Sequence, residues 1–309
     1  MTRPLRDKDP SIYRLITIRT EEARLWLIPS RNMEKLLGGI VARYQEQFQI
    51  EIYADCFNSN HPHMLVRAPN SNIDEFLENV HREIARRVNW KNRRQGKFWA
   101  RRYDDQKVLN QEDLLEAFLY ITTNPVKHGL VDHPAKWPGL SSYWQTLEGK
   151  VRQFSFYHYS QDNPAHRVTR HKLTIKRLPQ FEELSEKEYR TTINQLIEDR
   201  TQQLVTERKA NGLGFLGVEA VLRQIPGSIP QSVARSPRPS CYSKDAAAIK
   251  AHLIEARARN QAYDEASMRF RLGDHLAEFP TYTFKPPLHR KPRLLAFTPL
   301  PEDYFKIAA

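Results

Sequence analysis

Between residues 11 and 123 the apolar residues keep changing their spacing, from every second position to every third or fourth and back. This restricts the chain to a layered mixture of strands and helices. Residues 11–20 (SIYRLITIRT) alternate and are rich in β-branched side chains, which predicts a strand. Residues 31–48 carry Met33, Leu36, Leu37, Ile40, Val41, Tyr44 and Phe48 on one helical stripe. The pair Gly38-Gly39 inside it either weakens the helix or admits another backbone at close range. Residues 50–57 (IEIYADCF) and 61–68 (HPHMLVRA) alternate again around an Asn58-Ser59-Asn60 turn, which reads as a β-hairpin. Ser71 is placed to cap a helix running to about residue 92. Residues 98–109 predict one or two short strands, and residues 111–123 (QEDLLEAFLYITT) a helix that Pro125 ends.

The order β-α-β-β-α-β-α is that of a ferredoxin-like α+β core, an antiparallel sheet with helices on one face, plus an added helix. Pro and Gly punctuate residues 124–145, so the core is expected to end near residue 150, giving domains 1–150 and 151–309. The second is expected to be a basic, mostly α-helical extension. A Ser185/Glu188 capping box opens a helix that stops at Asn211-Gly212, and residues 218–225 form a shorter one. A Pro/Ser-rich linker follows over about 226–242, and a further helix starts after Ser243.

The 309 residues carry 48 Lys and Arg against 36 Asp and Glu, a net charge of +12, which makes a polyanion the first partner to consider. The excess is concentrated: residues 82–107 hold ten basic side chains against three acidic ones. Arg82, Arg86, Arg87, Arg93, Arg94, Lys97, Arg101 and Arg102 are therefore candidate phosphate contacts, with Lys127 a further one. The interleaved Trp90, Phe98, Trp99 and Tyr103 either stack on bases or fill the core. Two cysteines, Cys56 and Cys241, are too few for a disulfide framework or a Cys-type zinc site. No apolar run has the length of a membrane span or opens the chain as a signal peptide, so the expected setting is cytoplasmic and, in a bacterium, nucleoid-associated, without a membrane partner.

Two groupings carry possible chemistry. His61 and His63 stand two apart, so on a strand both imidazoles face one side, half of a divalent-metal site or simply two half-exposed histidines. Tyr120 and Asn124 stand four apart, so on a helix a phenol and a carboxamide project together, though a tyrosine among Leu114, Ala117, Phe118 and Ile121 also suits a core, and Asn before Pro a turn.

Together, NSNHPHMLV, FWARRYDDQKVL, LYITTNPVKHGLV and the run from Trp137 to Tyr143 (WPGLSSY) resemble the single-tyrosine HUH transposases, most closely the REP-associated tyrosine transposase group. The resemblance covers roughly residues 11–147. It implies that His61 and His63 are metal ligands with Asn124 as the third, that Tyr120 is the nucleophile, and that Mg²⁺ or Mn²⁺ is the cofactor. It further implies cleavage of single-stranded DNA, usually beside a hairpin or palindrome, with a 5′-phosphotyrosine link and a free 3′-hydroxyl, by a monomer or homodimer. One position departs from the pattern: Pro62 stands where the family has a bulky apolar residue, so this strand is expected at a sheet edge or with a local irregularity. A relative that binds structured DNA without cutting it is the alternative reading, and a regulator of RNA hairpins a third.

Overall fold

The structure is a computed structural model that describes residues 5–159, 161–163, 166–230 and 239–286. The chain forms two compact units, Lys8–His252 and a second made of Met1–Asp7 with Leu253–Ala309.

The larger unit is built on a five-stranded sheet of order β2-β3-β1-β4-β7. Its strands are β1 (Arg14–Thr17), β2 (Glu51–Phe57), β3 (Pro62–Arg67), β4 (Asp104–Val108) and, last in sequence, β7 (Cys241–Tyr242). The first four pair antiparallel, and β7 joins β4 in parallel. β1, β2 and β3 carry apolar residues on both faces, and both faces are covered. Ile16, Ile52, Met64 and Val66 face α1 (Arg31–Phe48) and α2 (Ile73–Lys91), contributing Leu37, Ile40, Phe76, Val80 and Ile84. Leu15, Ala54, Cys56 and Leu65 face α3 (Gln111–Thr122) and, beyond it, Tyr189, Ile193 and Ile197 of α6 (Glu186–Ala210). The α+β class and antiparallel core are as expected, but the helices lie on both faces: α3 has its own apolar stripe and covers the side that α1 and α2 leave open. Each fully buried Leu, Ile or Phe contributes about 1.5–3 kcal/mol, so neither face could be left bare.

Local chemistry sets the element ends. Ser30 caps α1, its hydroxyl accepting from the Met33 N–H at 3.1 Å, and Gln49 closes it with φ 54°. Ser71 is not the cap of α2. It sits at φ 56°, and Asn72 occupies the cap position without a side-chain capping bond, its Nδ2 donating instead to the Phe48 carbonyl at 2.8 Å. Pro62 lies neither on an edge strand nor at a bulge. It is the first residue of the interior strand β3, opposite Phe57, before pairing with β1 begins at His63, so its missing N–H interrupts no ladder. The register irregularity is on β2, between Ile52 and Ala54.

Residue 150 falls inside the larger unit. After α5 (Tyr143–Glu148), a hairpin of β5 (Arg152–Tyr157) and β6 (Val168–Leu173) lies along α1 and buries Phe154, Phe156 and Leu173 in the α1–α2 core. Gly38 and Gly39 permit this: a Cβ at Gly38 would strike the Phe154 ring, and one at Gly39 the Ser155 carbonyl. The part after 150 is therefore not purely helical, although α6 has the expected capping box, with Ser185 Oγ accepting from the Glu188 N–H at 3.3 Å. α7 (Val218–Leu222) follows, and much of the expected linker, residues 231–238, lies outside the described residues. α8 (Ala246–Arg271) continues beyond residue 252 into the second unit. There Tyr263 and Phe270 meet Phe279, and Arg259 pairs with Asp7. No helix among the described residues is long and apolar enough to cross a membrane.

Candidate active site

The turn between β2 and β3 is tied down along its length. The Asn58 N–H donates to the His61 carbonyl at 3.0 Å, Leu27 N–H to Ser59 at 2.7 Å, and Thr20 N–H to Asn60 at 2.9 Å. Asn60 Nδ2 donates to the Ala23 carbonyl at 2.8 Å. His61 and His63 leave this turn on the same face of the strand, with ring centroids 4.9 Å apart and planes at 86°.

Each imidazole is oriented through Nδ1. His61 Nδ1 lies 2.5 Å from Asn60 Oδ1, which can only accept, so the proton is on Nδ1 and Nε2 carries a lone pair. His63 Nδ1 lies 2.7 Å from Thr17 Oγ1, and its Nε2 is buried without a hydrogen-bond partner. Burial, together with the neighbouring His63, Arg19 and His128, pushes the His61 pKa well below 6.5. Burial with His128, Arg19 and Lys127 takes His63 down to about 3. At neutral pH both rings are uncharged donors of electron pairs.

α3 brings Tyr120 to the same place. Its ring centroid is 5.3 Å from that of His63 at 82°, and the Lys127 ammonium is 4.6 Å from it. Burial raises its pKa, against the Asn124 side chain and Arg19, which pull it down. Asn124 is not a frayed helix end. α3 stops at Thr122, and Asn124 opens a one-turn helix, α4 (Asn124–Lys127), with Pro125 in its first turn, where a missing N–H costs nothing. Asn124 is fully buried, and its Oδ1 accepts from Asn58 Nδ2 at 2.7 Å. The same Asn58 Nδ2 is 3.3 Å from His61 Nε2. One amide N–H₂ thus faces both an oxygen and a nitrogen lone pair, a partial positive charge set between two electron donors.

His61, His63, Tyr120 and Asn124, chosen from the sequence, converge. Neutral imidazoles, an amide oxygen and the orphaned His63 Nε2 form a donor set that suits Mn²⁺ or, with water, Mg²⁺. Sequence reasoning passed over Asn58, Arg19 and Tyr242. Asn58 reads as a turn former, Arg19 lies outside the basic cluster, and Tyr242 comes 122 positions after Tyr120, whose ring it approaches to 6.2 Å through the two-residue strand β7.

The basic cluster is mixed. Arg82 pairs with Glu78 at 3.2 Å, Lys97 with Glu21 at 3.0 Å and Arg101 with Asp104 at 3.0 Å, all with their cations well exposed. Arg86, Arg93, Arg102 and Lys127 are exposed too, and Arg94 lies over the Trp26 ring at 4.8 Å. Arg87 is different: it is buried, pairs with Glu83 at 2.7 Å and donates to the Tyr157 carbonyl at 2.7 Å. Its place in the core corrects the expectation of a phosphate contact. Among the aromatics, Phe98 is buried, Trp99 Nε1 donates to the His81 carbonyl at 2.9 Å, Tyr103 bonds Asp74, and Trp90 is exposed.

Residues 11–124 match the family model described as "Transposase IS200 like". A putative REP-associated tyrosine transposase of Haemophilus influenzae is 29% identical over 119 residues, 34% of this chain and 66% of that protein, just under two thirds of its length. The solved structure of a REP-associated tyrosine transposase bound to a REP hairpin is similar over 48% of this chain and 84% of that one, with 18% identity and a TM-score of 0.40.

Proposed function

Starting from residues 11–124 as an IS200-like transposase segment related to the REP-associated tyrosine transposases, we propose that this protein cleaves and rejoins single-stranded DNA through Tyr120. The observation that carries the proposal is the juxtaposition of the Tyr120 phenol with the His61–His63 pair and the Asn124 amide oxygen.

In this reading His61 Nε2, His63 Nε2 and Asn124 Oδ1 hold a divalent cation, Mg²⁺ or Mn²⁺, which supplies charge neutralisation at the scissile phosphate and favours phenolate over phenol. Asn60 fixes His61 in the tautomer that leaves a lone pair on Nε2, and Thr17 Oγ1, which can donate or accept, orients the His63 ring. Tyr120 Oη attacks phosphorus, the phosphorus–O3′ bond breaks, and the departing O3′ takes up a proton equivalent to the one the phenol lost. The products are a 3′-hydroxyl and a 5′-phosphotyrosine, and the reverse attack of that hydroxyl rejoins a strand. Lys127 over the ring opposes the negative charge the phenol must take on, and Arg19 places a further positive charge by the histidines. The exposed Arg82, Arg86, Arg93, Lys97, Arg101 and Arg102 supply sequence-independent attraction for the strand.

The test is a denaturing gel with labelled single-stranded oligonucleotides, with and without a hairpin, in Mn²⁺ or Mg²⁺. A covalent protein–DNA species that EDTA and Tyr120→Phe both abolish is the expected result. An adduct that survives Tyr120→Phe overturns the mechanism.

A further inference from the structure

α2 ends in an aromatic that neither core uses. Trp90 is 74% exposed, and its nearest ring is that of Tyr159, 60% exposed, at 5.8 Å with 39° between the planes. The underside of this pair is fixed: the buried Arg87 guanidinium lies 4.8 Å from the Tyr159 centroid and 4.2 Å from that of Phe156, while Glu83 and the Tyr157 carbonyl hold it. The upper side is open. Around it, residues 82–94 carry six Lys or Arg and one Glu, with Arg82, Arg86, Lys91 and Arg93 exposed.

We propose that Trp90 and Tyr159 form a stacking platform for an unpaired nucleobase of the DNA strand that the Lys8–His252 unit binds. The inference rests on the DNA-handling reading above, of which it needs only that single-stranded DNA is bound. An indole surrounded by cations suits a partner with exposed π-faces and a polyanionic backbone, which describes unpaired DNA. A second copy of this chain would bring the same positive charge against it. The position also fits. Asn89 Nδ2 donates to the Gly96 carbonyl at 3.1 Å, Glu21 N–H to Phe98 at 2.8 Å, Trp99 bridges to Thr20, and the Thr20 N–H bonds Asn60, next to His61. These contacts tie the last turn of α2, on the sheet face opposite α3, to the loop bearing the histidines. Phe98, Trp99 and Tyr103, from the same stretch, are engaged in the fold, which leaves Trp90 as the base-stacking candidate of that group.

The experiment measures fluorescence anisotropy of labelled oligonucleotides binding the full chain carrying Tyr120→Phe, so that no strand is turned over. The probes are a hairpin with unpaired flanks and a blunt duplex of the same stem. Trp90→Ala is expected to weaken binding of the flanked hairpin about 5- to 100-fold, with Trp90→Phe within about threefold of the parent. Duplex affinity stays unchanged. The salt dependence also keeps its slope, because stacking releases no counterions, whereas Arg86→Ala flattens it. Equal affinity of Trp90→Ala and parent, equal losses on both probes, or no binding of unpaired DNA by the parent would each overturn the platform. So would a change in sedimenting mass of the free Trp90→Ala protein, which would assign the patch to self-association. The adduct assay with Tyr120 intact is read separately: absence of adduct beside a Trp90-dependent affinity refutes the catalytic reading and leaves the platform standing.

Discussion

Gly39→Ala tests whether the β5–β6 hairpin is integral to the Lys8–His252 unit. In an isolated helix the change would stabilise by about 1 kcal/mol. Here the new methyl group would sit under 3.0 Å from the Ser155 carbonyl oxygen, which belongs to the β5 backbone and cannot rotate away as a side chain could. The strand must lift from α1, and overpacking of this kind costs about 1–3 kcal/mol. Phe154, Phe156 and Leu173, the hairpin's buried anchors, each contribute roughly 1.5–3 kcal/mol, so partial loss of their burial adds about 2 kcal/mol more. After subtracting the helix gain, the net expectation is a loss of roughly 2–4 kcal/mol. At about 2–4 °C per kcal/mol for a unit of this size, the melting temperature falls by roughly 4–16 °C. Calorimetry or circular dichroism reads the shift, and limited proteolysis reports whether the hairpin opens. An unchanged or raised melting temperature would refute the close approach of β5 to α1, and with it the inclusion of the hairpin in the unit.

Asp55 is fully buried on β2, both carboxylate oxygens lack a partner among the described residues, and burial pushes its pKa up to about 7. A raised pKa means that the stability present below about pH 4 is lost as pH rises through about 7, by at most about 4 kcal/mol. Asp55→Asn should remove this slope in urea unfolding at several pH values, and an identical slope in the variant would contradict the assignment. Arg87→Met removes one of the two cations that pair with Glu83 and leaves the Tyr157 carbonyl without its donor, an expected cost of about 1–3 kcal/mol without a change in the salt slope of DNA binding; a flattened slope would return Arg87 to the phosphate contacts. Asn58→Asp replaces the amide between His61 Nε2 and Asn124 Oδ1 by a carboxylate, so calorimetric titration should show Mn²⁺ binding tightened about tenfold, and His63→Ala should loosen it. Weaker Mn²⁺ binding by Asn58→Asp would place the cation elsewhere.

Periodicity carried much of the fold. The stripe from Met33 to Phe48 marks α1 at its observed bounds, Arg31–Phe48, and the turn at Asn58–Asn60 places the histidines on one strand face. What escaped has physical reasons. β7 has two residues and no period to detect. β5 and β6 alternate weakly, and their register depends on α1, a partner distant in sequence. Arg86 and Arg87 both pair with Glu83 but differ in burial, because 100° of helix rotation leaves Arg86 exposed and turns Arg87 inward to Phe156 and the Tyr157 carbonyl. Asn58 looked like any turn residue, since its role depends on Asn124, 66 positions later. Pro62 was read as a disturbance because its place as the first residue of β3 is set by pairing.

Tyr120 Oη is the atom proposed to join DNA. The most direct measurement is mass-spectrometric mapping of the peptide that carries the nucleotide after reaction in Mn²⁺ and digestion. The chain has 13 tyrosines, and Tyr242, 6.2 Å from Tyr120 between ring centroids, is the instructive competitor because its pKa is pushed up to about 12, mainly by burial. The predicted result is a single phosphotyrosyl peptide containing Tyr120, absent from His63→Ala protein. A nucleotide on Tyr242 or another tyrosine, or on Tyr120 in EDTA, would contradict the account.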